Sequence, residues 1–244
     1  MGRGPSIEGR KNAEDAKRAK VFTKLIREIT VATRAGVADP NLNPRLRAAV
    51  DKALTANMSK DTIERAIKRG SGADGGAKME ELRYEGYGPA GIALIIECFT
   101  DNPTRTVADV RHALTKHGGN LGTSGSVAFQ FTRCGELVFA THGNEAAEEK
   151  VLEAALEAGA DDVVNENGES TVLCSPESFE AVQQALIDAK LDAQHAGVVM
   201  RPNNRTAVTG EALETLTDLL EKLDSLDDVS EVYHNALLPA EAAS

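Results

Sequence analysis

The glycine-rich stretch Gly70-Ser71-Gly72-Ala73-Asp74-Gly75-Gly76 separates two parts of the chain whose apolar residues repeat with different periods. Before it, apolar residues recur every three to four positions, the spacing of one buried helix face. Phe22, Leu25, Ile26 and Ile29 predict a helix over residues 13–35, with Gly36 as its stop. After a turn over 37–43, Asn43-Pro44 is an N-cap with proline at the first helical position. Leu46, Ala49, Val50, Ala53 and Leu54 give the second helix one apolar face, and Asn57 ends it. Ser59 caps a third helix with Ile63, Ala66 and Ile67 inward, closed by Gly70. Three amphipathic helices with short loops make a small bundle. The glycines that follow predict a flexible linker.

Beyond the linker the period shortens to that of strands. Residues 80–88 and 92–99 predict paired strands, 104–117 a helix, and 126–132 an alternating strand. Strand 136–140, helix 144–158, strand 161–165, a turn at 166–168, strand 170–174, helix 177–189 and strand 192–200 then follow. That β-α-β-β-α-β order is the ferredoxin-like split motif. Helix 210–223 and strand 228–234 are too small to fold alone and can complete the layer begun near residue 80. The expected fold is α+β: an N-terminal three-helix bundle followed by two α/β domains, at least one ferredoxin-like. The expected domains are a basic helical domain with the linker at 1–76, a discontinuous middle domain at 77–132 plus 203–244, and an inserted ferredoxin-like domain at 133–202.

Net charge is −11, which taken alone argues against a polyanionic partner. Its distribution reverses that argument. Residues 1–72 carry 16 Lys/Arg against 8 Asp/Glu, and the remaining residues 11 against 30. One positive end on an acidic body is the arrangement expected of a chain that meets phosphates. On the first helix Lys17, Lys20, Lys24, Arg27 and Arg34 lie within an arc of about 100°, opposite the apolar face. Such a stripe can track a phosphate backbone and release condensed counterions. Arg45, Arg47, Lys52, Lys60, Arg65, Lys68 and Arg69 add cations on the second and third helices. These two helices, joined by Asn57-Met58-Ser59-Lys60-Asp61, resemble a helix-turn-helix lacking the usual turn glycine. The competing account is a solvated helical surface.

Other chemistries find little support. Cys98, Cys134 and Cys174 are scattered and form no C-x-x-C, so neither a disulfide framework nor a zinc site is expected. His112, His117, His142, His195 and His234 show no ligand spacing. Gly86-Tyr87-Gly88-Pro89-Ala90-Gly91 matches G-x-G-x-x-G, but a strand follows where a dinucleotide fold needs a helix. A hairpin turn with glycines at positive φ is the expectation. The segments at 100–106 and 117–122 can form anion nests or, more simply, local turns. No nucleophile–base–acid set stands out. We expect no enzymatic activity, no metal, no cofactor and no small-molecule substrate. No apolar run approaches the ~20 residues of a membrane span, and the opening lacks a secretory apolar core, so a cytoplasmic location and no membrane partner are expected. Aromatics are 4% with no Trp, too few for base-stacking sheets.

Several segments also resemble the YebC/PmpR family: Asp15-Ala16-Lys17-Arg18-Ala19-Lys20-Val21-Phe22-Thr23-Lys24-Leu25-Ile26-Arg27-Glu28-Ile29, Asp39-Pro40 with Asn43-Pro44-Arg45-Leu46-Arg47, the run from Asn57 through Arg69, and Tyr84-Glu85-Gly86-Tyr87-Gly88-Pro89-Ala90-Gly91. The opening Gly2-Arg3-Gly4-Pro5-Ser6 departs from that family. The resemblance implies three domains, a cytoplasmic location and no enzymatic activity. It implies a DNA-binding transcriptional regulator or, as for the family's mitochondrial translational activator, a ribosome-associated factor that relieves stalling on proline-rich stretches. In the second case the partners are ribosomal RNA and tRNA, with residues 57–61 near the peptidyl-transferase centre. A third reading, an adaptor using the acidic α/β domains, predicts no salt-dependent polyanion binding.

Overall fold

The computed structural model describes residues 7–72 and 79–238, with backbone alone for 7–18 and 20. The expected linker therefore lies, for residues 73–76, outside the described residues. The elements run α1 (Ile7–Ala35), α2 (Pro44–Thr55), α3 (Lys60–Gly70), β1 (Glu80–Tyr87), β2 (Ala93–Thr100), α4 (Pro103–Lys116), β3 (Asn120–Leu121), β4 (Phe131–Ala140), α5 (Glu145–Glu157), β5 (Asp162–Glu166), β6 (Glu169–Cys174), α6 (Phe179–Asp188), β7 (His195–Pro202), β8 (Thr206–Ala207), α7 (Glu211–Asp224), β9 (Val229–His234) and β10 (Ala236–Leu237). They divide into two compact units, residues 1–127 with 206–244, and residues 128–205.

In the first unit, helices α1 to α3 close around Ile29, Ala32, Leu46, Ala49, Ala53, Met58, Ile63 and Ala66. Leu54, expected on the inner face of α2, is 42% exposed. The inward place at this turn is taken by the adjacent Ala53, which is fully buried in the bundle core. Asn43 ties two helices together. Its Oδ1 accepts from the Leu46 amide, capping α2, while its Nδ2 donates to the carbonyls of Ala32 and Val37 at the end of α1. Gly36 does not take the left-handed conformation expected of a stop. It is small because a Cβ there would sit 2.7 Å from Asn43 Nδ2.

The α2–α3 joint solves the problem of the missing turn glycine. Asn57 has φ 60°, and asparagine tolerates this region better than most residues. The Asn57 amide donates to the Leu54 carbonyl, and the Met58 amide reaches back to the Ala53 carbonyl at 2.9 Å. This is the Schellman arrangement, with Met58 as its buried apolar contact. Ser59 then accepts from the Thr62 amide to start α3.

The rest of this unit is an antiparallel sheet of order β3-β1-β2-β9, covered on one face by α4 and α7. Leu94, Ile96 and Cys98 of β2, with Ile92 just before it, meet Val110, Leu114, Leu216, Leu219 and Leu223. The return of α7 and β9 after the second unit places β9 beside β2. The segment at 126–132 is not a strand: a 3-10 turn spans Ala128–Gln130, and β4 begins at Phe131. The alternation continued across that turn and hid it. Between β1 and β2, Pro89–Gly91 forms another 3-10 turn, in which Ala90 and Gly91 take positive φ. Gly86 serves a different purpose from the one expected, since a Cβ there would meet the Asn120 carbonyl of β3 at 2.6 Å. Two-residue strands β3, β8 and β10 are too short to leave a periodic signal.

The second unit has sheet order β5-β6-β4-β7, all antiparallel neighbours. With β-α-β-β-α-β connectivity, that order is ferredoxin-like. Helices α5 and α6 pack Val151, Ala155, Val182 and Leu186 onto Leu137, Phe139, Val172 and Cys174. Its β5–β6 hairpin turns through Asn167-Gly168, both at positive φ, which matches a right-twisted ribbon.

Gly70 fixes how closely α3 approaches α1: an added Cβ would stand 2.6 Å from both the Thr30 carbonyl and Thr33 Cβ. Gly70→Ala is expected to cost about 1–3 kcal/mol, although alanine is the better helix former. The check is the urea midpoint compared with that of Ala48→Gly, an exposed α2 position expected to lose about 1 kcal/mol or less. A Gly70→Ala chain as stable as the parent would remove the close-packing argument.

Candidate nucleic-acid interface

The ten of the twelve expected cations whose side chains are described do not form one surface. Lys24, Arg27 and Arg45 turn toward the α/β sheet of their own unit. Lys24 Nζ lies 2.5 Å from Asp224 Oδ1 at the end of α7. Arg27 Nη1 lies 2.8 Å from Asp228 Oδ1 and also donates to the Asp227 carbonyl. Arg45 bridges Glu28 at 3.2 Å and Glu81 at 2.7 Å, with its guanidinium over the Phe99 ring. Burial alone would lower the Arg45 pKa, but Glu28 and Glu81 outweigh it and raise the value. Within the expected stripe, Lys24 and Arg27 thus have partners inside the protein. Acidic residues more than a hundred and ninety positions away in sequence, which no local reading of α1 can see, neutralise them. Arg34 is half-buried near the end of α1. Lys17 and Lys20 belong to side chains outside those described.

Asp228 is the electrostatic centre of this contact. It is 6% exposed, and Arg105 grips it with Nε and Nη2 at 2.9–3.1 Å. The Thr106 hydroxyl donates to Oδ2 at 2.8 Å, and Arg27 supplies a second guanidinium. Burial pushes this carboxyl up, but the Thr106 and Arg105 hydrogen bonds and the charges of Arg27 and Arg105 hold it below the ordinary carboxylate range. The cleft around it is lined by Arg27, Asp101, Arg105, Thr106, Asp109 and residues 225–229. Asp228 and Asp101 are both paired with guanidinium groups there, so the cleft clamps α1, α4 and the turn before β9 together.

The remaining cations face outward. Arg47, Lys52, Lys60, Arg65, Lys68 and Arg69 are exposed on α2 and α3. Arg47 donates to the carbonyls of Pro40 and Asn41, which fixes its direction while leaving its charge uncompensated. Arg65 pairs with Asp61 at 2.8 Å, one turn earlier and largely in solvent, a contact worth little. Beside them lies the joint, with Ala56 half-buried and Asn57 and Ser59 exposed. The α2–α3 face thus combines exposed cations with a hydrogen-bonded turn.

In the 117–122 segment the amides of His117 and Gly119 donate to the Leu114 carbonyl, and those of Gly118 and Gly122 to the carbonyls of Thr115 and Glu85. Just beyond it the backbone amides of Gly125 and Val127 donate to the Glu85 carboxylate, each at 2.8 Å. At the start of α4, Asn102 Oδ1 caps the Arg105 amide, and Thr100 Oγ1 accepts from Asn102. These are local turn and clamp contacts. Among the described residues, no group of three or more His, Cys, Asp or Glu could hold a metal ion, and no helix is long and apolar enough to cross a membrane.

Comparison with known proteins places this geometry in a wider set. Residues 4–73 match the model of the TACO1/YebC protein N-terminal domain, and residues 79–236 that of the TACO1/YebC second and third domain. A protein of Xanthomonas campestris pv. campestris (strain B100) is 57% identical over 237 residues, 96% of this chain and 97% of the relative. A protein of Stenotrophomonas maltophilia (strain K279a) is 57% identical over 244 residues, 99% of each. Both carry the name "Probable transcriptional regulatory protein". A conserved hypothetical protein from Aquifex aeolicus, solved by crystallography, superposes with a TM-score of 0.83 at 42% identity over 94% of each chain.

The lowered pKa of Asp228 has a defined consequence for acid stability. Its carboxylate is favoured in the folded state, so its contribution is full above the unfolded value of about 4 and fades as pH falls through the folded one. Asp228→Asn is expected to lose on the order of 2 kcal/mol at pH 7. The gap from the parent should shrink steadily below about pH 4. Urea midpoints measured from pH 7 to pH 3 give the comparison; a gap independent of pH would mean the charge of Asp228 does not matter.

Proposed function

The chain belongs to the TACO1/YebC family, and from that premise we propose that it is a non-enzymatic, nucleic-acid-binding transcriptional regulator that meets its target with the outer face of α2 and α3. The observation that carries this reading is the position of Arg47, Lys52, Lys60, Arg65, Lys68 and Arg69, all exposed on an otherwise acidic molecule. Phosphates are the ligand such a face suits, because each neutralised phosphate releases counterions and the gain is independent of sequence. The rigid Asn57 joint sets the spacing of the two helices, so cations on both can bind in one register. Regulatory naming of the relatives from Xanthomonas and Stenotrophomonas supports the same assignment. Duplex DNA is the partner we assign. Structured RNA, whether tRNA or ribosomal, offers the same phosphates and is the competitor to measure against.

The test is a salt series of binding to a labelled duplex DNA, alongside total tRNA and purified ribosomes. The parent should bind duplex with a strongly negative slope of log affinity against log salt. A chain carrying Lys60→Ala, Lys68→Ala and Arg69→Ala should bind at least about tenfold more weakly near 100 mM salt. Its slope should be shallower by about 0.9 for each phosphate contact removed. Circular dichroism confirms that this variant is folded, since all three positions are exposed. Unchanged affinity and slope would remove α2 and α3 from the interface, and binding to ribosomes without duplex binding would overturn the DNA assignment.

A further inference from the structure

We propose that the acidic corner formed by the end of α7 and the turn before β9 is an internal competitor for phosphate, a latch that holds the helical body against the sheet and opens when a polyanion binds. The inference rests on the nucleic-acid reading above and concerns the regulation of that same face.

Three observations converge on it. First, the corner presents anionic and carbonyl oxygens to α1 at several points: Asp224 to Lys24, and Asp228 with the Asp227 carbonyl to Arg27. Guanidinium and ammonium groups donate to phosphate oxygens in the same way, so the corner occupies donors that a backbone phosphate would use. Second, the contacts are graded in strength. Asp228 is buried and held by Arg105 and Thr106, so it stays in place when Arg27 leaves. Asp224 is 78% exposed at its side chain, so its pair with Lys24 is weak and screened by salt. A corner that keeps its own shape while its partner departs can be reused. Third, the apolar cores of the bundle and of the sheet are separate clusters. The contacts described between them include the ion pairs of Lys24, Arg27 and Arg45 and the buried Phe99 ring under Arg45. Separating them breaks these contacts and leaves both clusters intact. Phosphates then take over the released cations, adding Lys24 and Arg27 to the exposed set on α2 and α3.

The latch predicts that removing acid from the corner strengthens polyanion binding more than removing the same charge nearby. Asp224→Asn deletes the exposed member of the corner. Asp218→Asn lies on the same helix α7, is exposed, and changes net charge equally. With the labelled duplex DNA and with total tRNA as probes, Asp224→Asn should bind roughly twofold to fivefold tighter than the parent, the range of an exposed ion pair. Asp218→Asn should stay within about 1.5-fold at 150 mM salt, because screening over a Debye length removes its long-range effect. Equal gains from both variants, or no gain from Asp224→Asn, would each overturn the latch while leaving the binding reading intact. A parent chain that binds neither probe would overturn the binding reading, and the latch with it.

Discussion

A carboxylate at 6% exposure, Asp228, collects a guanidinium from α1, a second guanidinium from α4 and a hydroxyl from Thr106. Without at least two of these partners its charge would be prohibitive to bury. With them it becomes the point through which the helical body, the helix α4 and the last strand are registered on one another. The backbone contributes as well: the Asp228 carbonyl accepts from the Phe99 amide of β2 at 2.8 Å, beside the bulge at Glu97 and Cys98. Phe99 in turn lies under Arg45, which binds Glu28 and Glu81. A chain of charge pairs thus joins α1 and α2 to the sheet where no continuous apolar core does.

That arrangement changes the meaning of the charge asymmetry. A net positive end and a negative body are attracted to each other before either meets a third molecule. Part of the positive end is consequently spent inside the protein, on Asp224, Asp228, Glu28 and Glu81. What reaches solvent is the set on α2 and α3, whose acidic partner Asp61 is itself exposed. The same attraction that lowers the number of free cations also supplies a restoring force, which a binding polyanion must exceed.

The fold was legible in the sequence to the extent that its signals were local and periodic. The three helices, the Asn43 and Ser59 caps, and the ferredoxin-like order all follow from spacing and turn chemistry. The 3-10 turn at Ala128–Gln130 was not legible, because Val127, Phe129 and Phe131 keep alternating through it and only the backbone departs. Glycine roles at Gly36 and Gly86 were misassigned for a related reason: crowding by Asn43 and by the Asn120 carbonyl comes from residues distant in the chain, whereas positive φ is a local property. The candidate site divides along the same line. Exposure of Lys60, Arg65, Lys68 and Arg69 could be anticipated from the apolar face they oppose on α3. Pairing of Lys24 with Asp224 could not, since a helical wheel places a side chain on a face and says nothing of what that face meets.

The α2–α3 joint shows how little sequence is needed to make a rigid presenting element once packing supports it. Asn57 at φ 60° carries a local cost that glycine would avoid. The cost is offset by two backbone hydrogen bonds and by Met58, which is 3% exposed and sits in the bundle core. An asparagine there restricts the unfolded chain more than glycine would, and it places a polar side chain in solvent beside Lys60. The hydrogen bonds of this joint and the ion pairs of α1 involve different residues of the same small bundle. The joint keeps α2 and α3 fixed relative to each other whether or not α1 stays docked. For that reason a change in docking can alter how many cations reach a phosphate backbone without altering the spacing of those already exposed.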